Sequence, residues 1–212
     1  MATRRKYRIV FTEPVLGTAT QNPDLYREFL AKDVPEPNKD KKTEEEVATL
    51  PDVDEELEKA TTAFHRNDGE PIFFDYVLKG FFKEACGSLQ RIAGDTAKLY
   101  GSGKLKAYKK QIDGLVFVFP RQIVIHPPEG KNEVEITELT RPLRAQTAKG
   151  ERIALACSEQ IPAGCWVEFE IECLNPTILE PLIEEWLDYG RLRGIGCWRN
   201  ASYGRFNWEE IK

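Results

Sequence analysis

Residues 190–206 read GRLRGIGCWRNASYGRF, a run of glycines and arginines between two apolar segments. The run has four glycines and four arginines but no acidic residue. Glycines allow close backbone approach and arginines bind phosphates or stack on bases, so this composition suits a polyanion. The alternative is a glycine-rich connection packed under a sheet with its arginines in solvent, and composition leaves both interpretations open.

The segments on either side of this run have different periodicities. The apolar residues before it recur at helical spacing, at Ile178, Leu179, Leu182, Ile183, Trp186 and Leu187. This spacing predicts an amphipathic helix that ends near Gly190. Residues 203–208, which overlap the end of the run, are predicted as the last strand, and the alternating residues 166–172 further upstream predict another strand.

The remaining predicted strands and helices define the order of elements along the chain. Further strands are predicted over 6–12, 113–126 with a break at Pro120, 133–139 and 151–159, and a helix over 75–92. This order predicts an α+β fold, a ferredoxin-like (RRM-like) antiparallel sheet with helices on one face. We expect one domain over residues 1–212. Residues 21–62, helix formers separated by prolines, are predicted as a charged helical insertion after the first strand.

Charge is unevenly distributed along the chain, whose net charge is −5. Residues 33–58 contain 11 acidic and 3 basic residues, whereas residues 79–152 contain 14 basic and 8 acidic residues. The body outside the acidic segment is therefore mildly basic and suited to a phosphate backbone. The acidic segment is suited instead to a basic channel in a protein partner.

Other classes of protein are disfavoured by the composition. The five cysteines form no C-x-x-C pair, so neither a metal site nor a disulfide framework is predicted, and no cofactor is expected. The longest apolar runs are too short for a bilayer, and no signal segment precedes the first strand. We expect no membrane contact and a cytoplasmic location in a bacterium or in the bacterial host of a phage.

Three segments, in order, resemble motifs of the RAMP superfamily, the RNA-binding subunits of CRISPR systems. Tyr203-Gly204-Arg205-Phe206 is similar to the end of that superfamily's C-terminal glycine-rich loop. Residues 66–85 resemble its approach to the first helix, with Lys79-Gly80 and Lys83 at the basic positions. Residues 158–171 are similar to its Pro-Ala-Gly strand entry.

The resemblance implies RNA binding across the sheet and the glycine-rich loop, without catalysis, in a multisubunit CRISPR effector. The RNA contacts that it implies are Lys79, Lys83, Arg193, Arg199 and Arg205. Composition adds Arg141 and Arg144, which lie next to predicted strands, and Trp198, which is suited to stacking on a base. The expected partner is single-stranded RNA of the crRNA type, bound by an oligomer or a larger complex.

Two other functions stay open. A phage-encoded anti-CRISPR protein could mimic an effector subunit and bind a defence effector protein through the acidic segment. A ribonuclease could use His65 as an acid or base, or an aspartate after the first strand. The candidate aspartates are Asp24, Asp33, Asp40 and Asp68. The sequence selects none of these groups, so we name no catalytic residue and favour binding over catalysis.

Overall fold

The computed structural model describes residues 4–20, 60–147 and 150–211. Within these ranges the strands are β1 Arg4–Phe11, β2 Val15–Leu16, β3 Ala19–Thr20, β4 Ala60–Ala63, β5 His65–Asn67, β6 Glu70–Phe74, β7 Val116–Phe119, β8 Gln122–His126, β9 Thr137–Thr147, β10 Gly150–Ile161, β11 Trp166–Cys173 and β12 Phe206–Ile211. The α-helices are α1 Asp75–Leu89, α2 Tyr108–Leu115 and α3 Pro176–Arg193, and short 3₁₀ helices cover Asp95–Leu99, Gly101–Lys104 and Arg199–Ala201. No helix in the described ranges is long and apolar enough to cross a membrane.

The main sheet is built around β1, which pairs antiparallel with β12 on one side and β11 on the other. β11 pairs in turn with β7 and β8, and β6 and β5 extend the sheet beyond β8. In the chain, α1 lies between β1 and β7, and α3 lies between β11 and β12. This is the ferredoxin-like strand order, so the predicted α+β fold with an antiparallel sheet is confirmed.

The helices α1 and α3 cover one face of the main sheet. Tyr7, Ile9 and Phe11 of β1 are buried in the core on that face. Phe82 of α1 and Trp186 of α3 belong to the same core, with 5.7 Å between their ring centroids. Because successive strand residues point to opposite faces, the even-numbered residues of β1 and β11 lie on the other face, which we call the open face.

The long strand β10 organises a second sheet. It pairs antiparallel with β9 from the Thr147–Gly150 pair to the Thr137–Gln160 pair. On its other side it pairs with β4 in parallel and with β2 antiparallel. The strand predicted over 133–139 begins only at Thr137 and continues to Thr147, because pairing with β10 determines where it ends.

The predicted insertion is described only at its end, and one predicted strand near α2 is corrected. The insertion predicted as helical over 21–62 meets the described chain only at residues 60–62, and these belong to β4 because they pair with β10. The rest of the insertion lies outside the described residues. Residues 113–115, predicted as strand, are the last turn of α2, which buries Ile112.

The end of the chain also differs from the prediction. Helix α3 passes its predicted end at Gly190 and continues to Arg193. Gly190 is needed inside the helix because an added Cβ would lie 2.1 Å from Cζ of Phe206. The last strand begins at Phe206 rather than Tyr203, since the residues before it belong to the connection described below.

Candidate nucleic-acid interface

The connection from α3 to β12, residues 194–205, is here called the glycine loop. Gly194, Gly196 and Gly204 have φ angles of +77°, +90° and +73°, a region that L side chains rarely adopt. A Cβ on Gly204 would lie 1.8 Å from the carbonyl oxygen of Ile195. These glycines therefore permit a close approach between the two ends of the loop.

Backbone hydrogen bonds tie the glycine loop to the segment after β1. The N–H of Ile195 donates to the carbonyl of Gly204 at 2.9 Å, and the N–H of Gly204 donates to Pro14 at 2.8 Å. The N–H of Cys197 donates to the carbonyl of Leu16 at 3.4 Å. The interpretation as a packed connection thus describes the glycines well, and these three amides are already engaged within the protein.

The side chains of the glycine loop and β9 form a stack of one cation and two rings. The guanidinium carbon of Arg141 lies 4.3 Å from the ring centroid of Trp198. Trp198 and Tyr203 stack with 5.2 Å between centroids and 18° between planes. Trp198 is 41% exposed, so part of its ring is accessible at the surface. We call Arg141, Trp198 and Tyr203 the loop stack.

Arg141 has buried donor atoms that the described residues leave unsatisfied. Its Nε and Nη1 atoms are buried and have no hydrogen-bond partner among the described residues. A buried donor without a partner costs about 1–3 kcal/mol, and more when it is charged. The charge acts on the adjacent thiol of Cys197: burial raises the pKa of Cys197, and Arg141 and Arg199 partly oppose that rise.

The carboxylate of Glu84, on α1, binds both Arg193 and Arg199. Nε of Arg193 donates to Oε1 of Glu84 at 3.0 Å, and Nη1 of Arg199 donates to Oε2 of the same carboxylate. Nη1 of Arg193 also donates to Oδ1 of Asn200 at 2.5 Å. These three charged side chains keep 26–28% of their surface exposed, so the cluster lies at the protein surface.

The predicted contacts on α1 lie apart from the glycine loop. Lys83 forms an ion pair with Asp113 of α2 at 2.5 Å. Nζ of Lys79 lies 5.2 Å from the ring centroid of Phe117 and 3.5 Å from the carbonyl oxygen of Asp113. Lys83 thus faces α2, and Lys79 faces α2 and β7.

The remaining predicted contacts are Arg205 and Arg144. Nε of Arg205 donates to the carbonyl of Leu192 at 2.8 Å and so helps to close the end of α3. Arg144 pairs through its backbone with Ile153 of β10, and its side chain lies outside the described part. The structure therefore groups Arg141, Arg193, Trp198 and Arg199.

Two residues of this interface are absent from the sequence-based candidates. Tyr203 belongs to the quoted Tyr-Gly-Arg-Phe motif, so an aromatic residue next to an arginine was an available signal. Glu84 is 109 residues from Arg193 and 115 from Arg199 along the chain, so no local pattern indicates its pairing.

The open face presents cations that are neutralised by acids. Arg4 contacts Glu172 at 3.0 Å, and Arg8 contacts Glu168 at 2.6 Å. Lys6 forms an ion pair with Glu168 as well. Burial opposes ionisation of Glu168, but hydrogen bonds from Lys6 and Arg8 hold its pKa below the ordinary value.

Further carboxylates on the open face come from neighbouring positions. Glu170 lies 3.5 Å from Arg4, and Glu209 of β12 lies 3.3 Å from Arg8. The described open face thus has three cations from β1 set against four carboxylates. Phosphate binding across this face, which the resemblance implied, finds little free positive charge there.

A second stack lies at the edge of the open face. The guanidinium carbon of Arg8 is 4.8 Å from the ring centroid of Trp166, and His126 stacks on Trp166 at 4.1 Å and 22°. Arg8, Trp166 and His126 are called the sheet stack below. They line a groove of about 500 Å³ together with Pro128 and Lys131.

The candidate catalytic groups do not form a site in the described residues. His65, the candidate acid or base, is 3% exposed and packs against the ring of Phe74 at 4.8 Å. Its position in β5 turns the ring into the protein. Asp68 is in an exposed turn with φ of +50°. Asp24, Asp33 and Asp40 lie outside the described residues.

The cysteines and acids show no metal cluster in the described ranges. No group of three His, Cys, Asp or Glu side chains there is close enough to hold an ion. Cys86, Cys157, Cys165 and Cys173 are buried free thiols, and burial raises the pKa of Cys165 to about 11. The Cys165 thiol therefore stays protonated at neutral pH and is a poor ligand or nucleophile.

The described residues thus define an α+β protein of ferredoxin-like order with a cationic and aromatic glycine loop. Among solved structures, Cmr6 from Pyrococcus furiosus is similar, with a TM-score of 0.49 and 12% identity over 97% of this chain and 98% of that chain. A chain of the type IV-B CRISPR complex is similar with a TM-score of 0.48 and 10% identity, over 99% of this chain and 90% of that one.

A third similar structure is larger. A chain of the type III-B Cmr-beta complex bound to cognate target RNA has a TM-score of 0.48 and 10% identity over 99% of this chain, which spans 61% of that chain's length. No protein-family model and no characterised protein matches the sequence. At these identities no residue of this chain is equated with a residue of those structures.

Proposed function

We propose that this chain binds single-stranded RNA, without cleaving it, through the loop stack and the neighbouring Arg193 and Arg199. The observation that supports the proposal is the loop stack itself: an exposed indole lies against the Arg141 guanidinium, two of whose buried nitrogens have no hydrogen-bond partner among the described residues. Aromatic rings stack on any base, and guanidinium groups bind phosphates. A surface with both components at one place suits a strand with accessible bases.

The exposed ring favours a single strand over a duplex. In a duplex the bases stack on one another, and a protein then reads phosphates and sugars along the grooves. Trp198, exposed beside Arg141 and Tyr203, gains most from a base that is free to leave its own stack. The resemblance to RAMP subunits adds the expectation that the RNA is of the crRNA type and that the chain acts within a multisubunit assembly.

A protein partner is the second candidate. The observation that favours it is the open face, where four carboxylates face three cations, together with the acid-rich residues 33–58 outside the described part. A phage-encoded anti-CRISPR protein that imitates an effector subunit would present such a surface to a basic channel. Cleavage of RNA is not proposed, since His65 is buried.

Binding of a fluorescent thirty-nucleotide RNA at two salt concentrations tests the RNA proposal. With three phosphate contacts, from Arg141, Arg193 and Arg199, affinity should fall roughly twentyfold between 50 and 200 mM salt. A duplex of equal length should bind more weakly, and the labelled strand should remain intact. Absence of binding at low salt, or a preference for the duplex, contradicts the proposal and directs attention to the protein partner.

A further inference from the structure

We propose that the carboxylate of Glu84 occupies a phosphate position in the free protein and must be displaced when a nucleic-acid phosphate binds there. This inference rests on the proposed RNA binding and names the site of one phosphate contact. Arg193 and Arg199 both donate to this single carboxylate, one to each oxygen. The two guanidinium groups are therefore already arranged around an anion.

The geometry explains why a phosphate fits the same place. Carboxylate and phosphate both accept charge-assisted hydrogen bonds from guanidinium groups, and arginine binds either with two donors. Glu84 is held by α1, whereas Arg193 and Arg199 come from the end of α3 and from the glycine loop. Rotation of one glutamate side chain frees both arginines without moving the backbone.

A polar pocket adjoins the Glu84 carboxylate and offers further donors. It measures about 360 Å³, and Lys83, Ser88, Arg91, Tyr108, Tyr189 and Arg193 line it with Glu84. Three of these side chains are cations, and Glu84 is the only acid among the lining residues. Lys83 is itself paired with Asp113 of α2, so a phosphate that replaces Glu84 would be bound chiefly by Arg91 and Arg193 and by the hydroxyl donors of the pocket.

The pocket connects two predicted contacts that otherwise lie apart. Lys83 lines it from α1, and Arg193 lines it from α3. A strand whose base stacks at Trp198 can place its next phosphate at Arg199 and Arg193 and continue toward Lys83. Glu84 lies along that path, so its negative charge repels the RNA until the glutamate side chain rotates away.

The isosteric variant Glu84→Gln tests the inference, with Glu172→Gln as the matched control. Glu172 is a surface acid that pairs with Arg4 on the open face, so its variant removes the same charge far from the pocket. We expect Glu84→Gln to bind the thirty-nucleotide RNA about five- to tenfold more tightly than wild type. Glu172→Gln should change the affinity by less than about twofold.

A second probe separates this inference from the proposed function. Inorganic tripolyphosphate should raise the melting temperature of Glu84→Gln more than that of wild type, because it needs no base stacking. In wild type it should also shift the ¹⁵N resonance of the Arg193 Nε–H, which identifies displacement of Glu84 without any substitution. The signal is assigned by its loss in Arg193→Lys.

Each outcome decides between the two proposals. If wild type binds RNA but Glu84→Gln binds equally or less well, and tripolyphosphate leaves the Arg193 signal unchanged, the phosphate position at Glu84 is wrong while RNA binding stands. If RNA fails to bind either protein but tripolyphosphate stabilises Glu84→Gln, the pocket stands and the proposed function is wrong. If neither ligand binds either protein, both proposals are overturned.

Discussion

The loop stack and the sheet stack have the same parts but different charges. Each places an arginine beside a tryptophan that also stacks on a second ring, Tyr203 in one case and His126 in the other. Arg8 of the sheet stack is paired with Glu168 and Glu209. Arg141 of the loop stack has no carboxylate partner among the described residues, and two of its nitrogens are unpaired.

This difference shows that a ring and a cation together do not define a phosphate site. A guanidinium that already donates to carboxylates must break those bonds before it can bind a phosphate, so the gain is small. At the glycine loop, Arg141 has no ion-pair partner among the residues that the structure describes, and Arg193 and Arg199 share the one carboxylate of Glu84. Positive charge is therefore available at the glycine loop and largely neutralised on the open face.

The largest expected effect is on stability and comes from disrupting the packing between the two ends of the glycine loop. Gly204→Ala places a Cβ 1.8 Å from the Ile195 carbonyl at a φ of +73°, so strain and displacement add. We expect a loss of about 3 kcal/mol in the free energy of unfolding. Urea unfolding followed by tryptophan fluorescence measures this loss.

Gly69→Ala is the matched control for that substitution. Gly69 has a φ of +85°, yet an added Cβ meets no atom within 4 Å. It should therefore lose only about 1–2 kcal/mol, the cost of the left-handed conformation alone. Equal losses of unfolding free energy in the two variants would show that the close contact with Ile195 is not the reason for a glycine at position 204. The glycine loop would then not be a rigid support for the loop stack.

The strand order was accessible from the sequence, whereas the glycine loop's contacts were not. Alternation in residues 166–172 and helical spacing in residues 178–187 depend on local burial, so they predicted β11 and α3. Helix α2 was missed because its eight residues bury only Ile112 and provide little periodic signal. The pairing of Glu84 with Arg193 and Arg199 depends on contacts far apart in the chain, which no local pattern records.

The two tryptophans provide the direct functional test of the comparison. Trp198→Ala should weaken binding of single-stranded RNA by about tenfold or more, since loss of one base–aromatic stack costs about 1–3 kcal/mol. Trp166→Ala should change it by less than about twofold, because the neighbouring Arg8 is held by carboxylates. Fluorescence anisotropy with the thirty-nucleotide RNA measures both variants at one salt concentration.

Thermal melting of the two variants must first show that each remains folded. An equal loss of RNA affinity in both would mean that the strand crosses the open face as well as the glycine loop. A loss confined to Trp166→Ala would reverse the assignment and make the groove of the sheet stack the RNA site.

The smallest effect concerns charge alone and needs no ligand. Burial raises the pKa of Cys197, and the charges of Arg141 and Arg199 partly lower it again. Arg141→Gln should therefore raise the pKa of Cys197 further and reduce its thiolate fraction near pH 8. The midpoint of iodoacetamide alkylation against pH, followed on the Cys197 peptide by mass spectrometry, should move to higher pH.

The direction of the midpoint shift separates charge from access, because a looser loop exposes the thiol and lowers its pKa, whereas loss of the Arg141 charge raises it. Arg199→Gln should move the midpoint in the same direction, although its charge is shared with Glu84. Arg8→Gln, in the sheet stack, should leave it in place. If the midpoint stays unchanged in Arg141→Gln, the Arg141 charge is compensated by another group. The two stacks would then differ in exposure and not in charge.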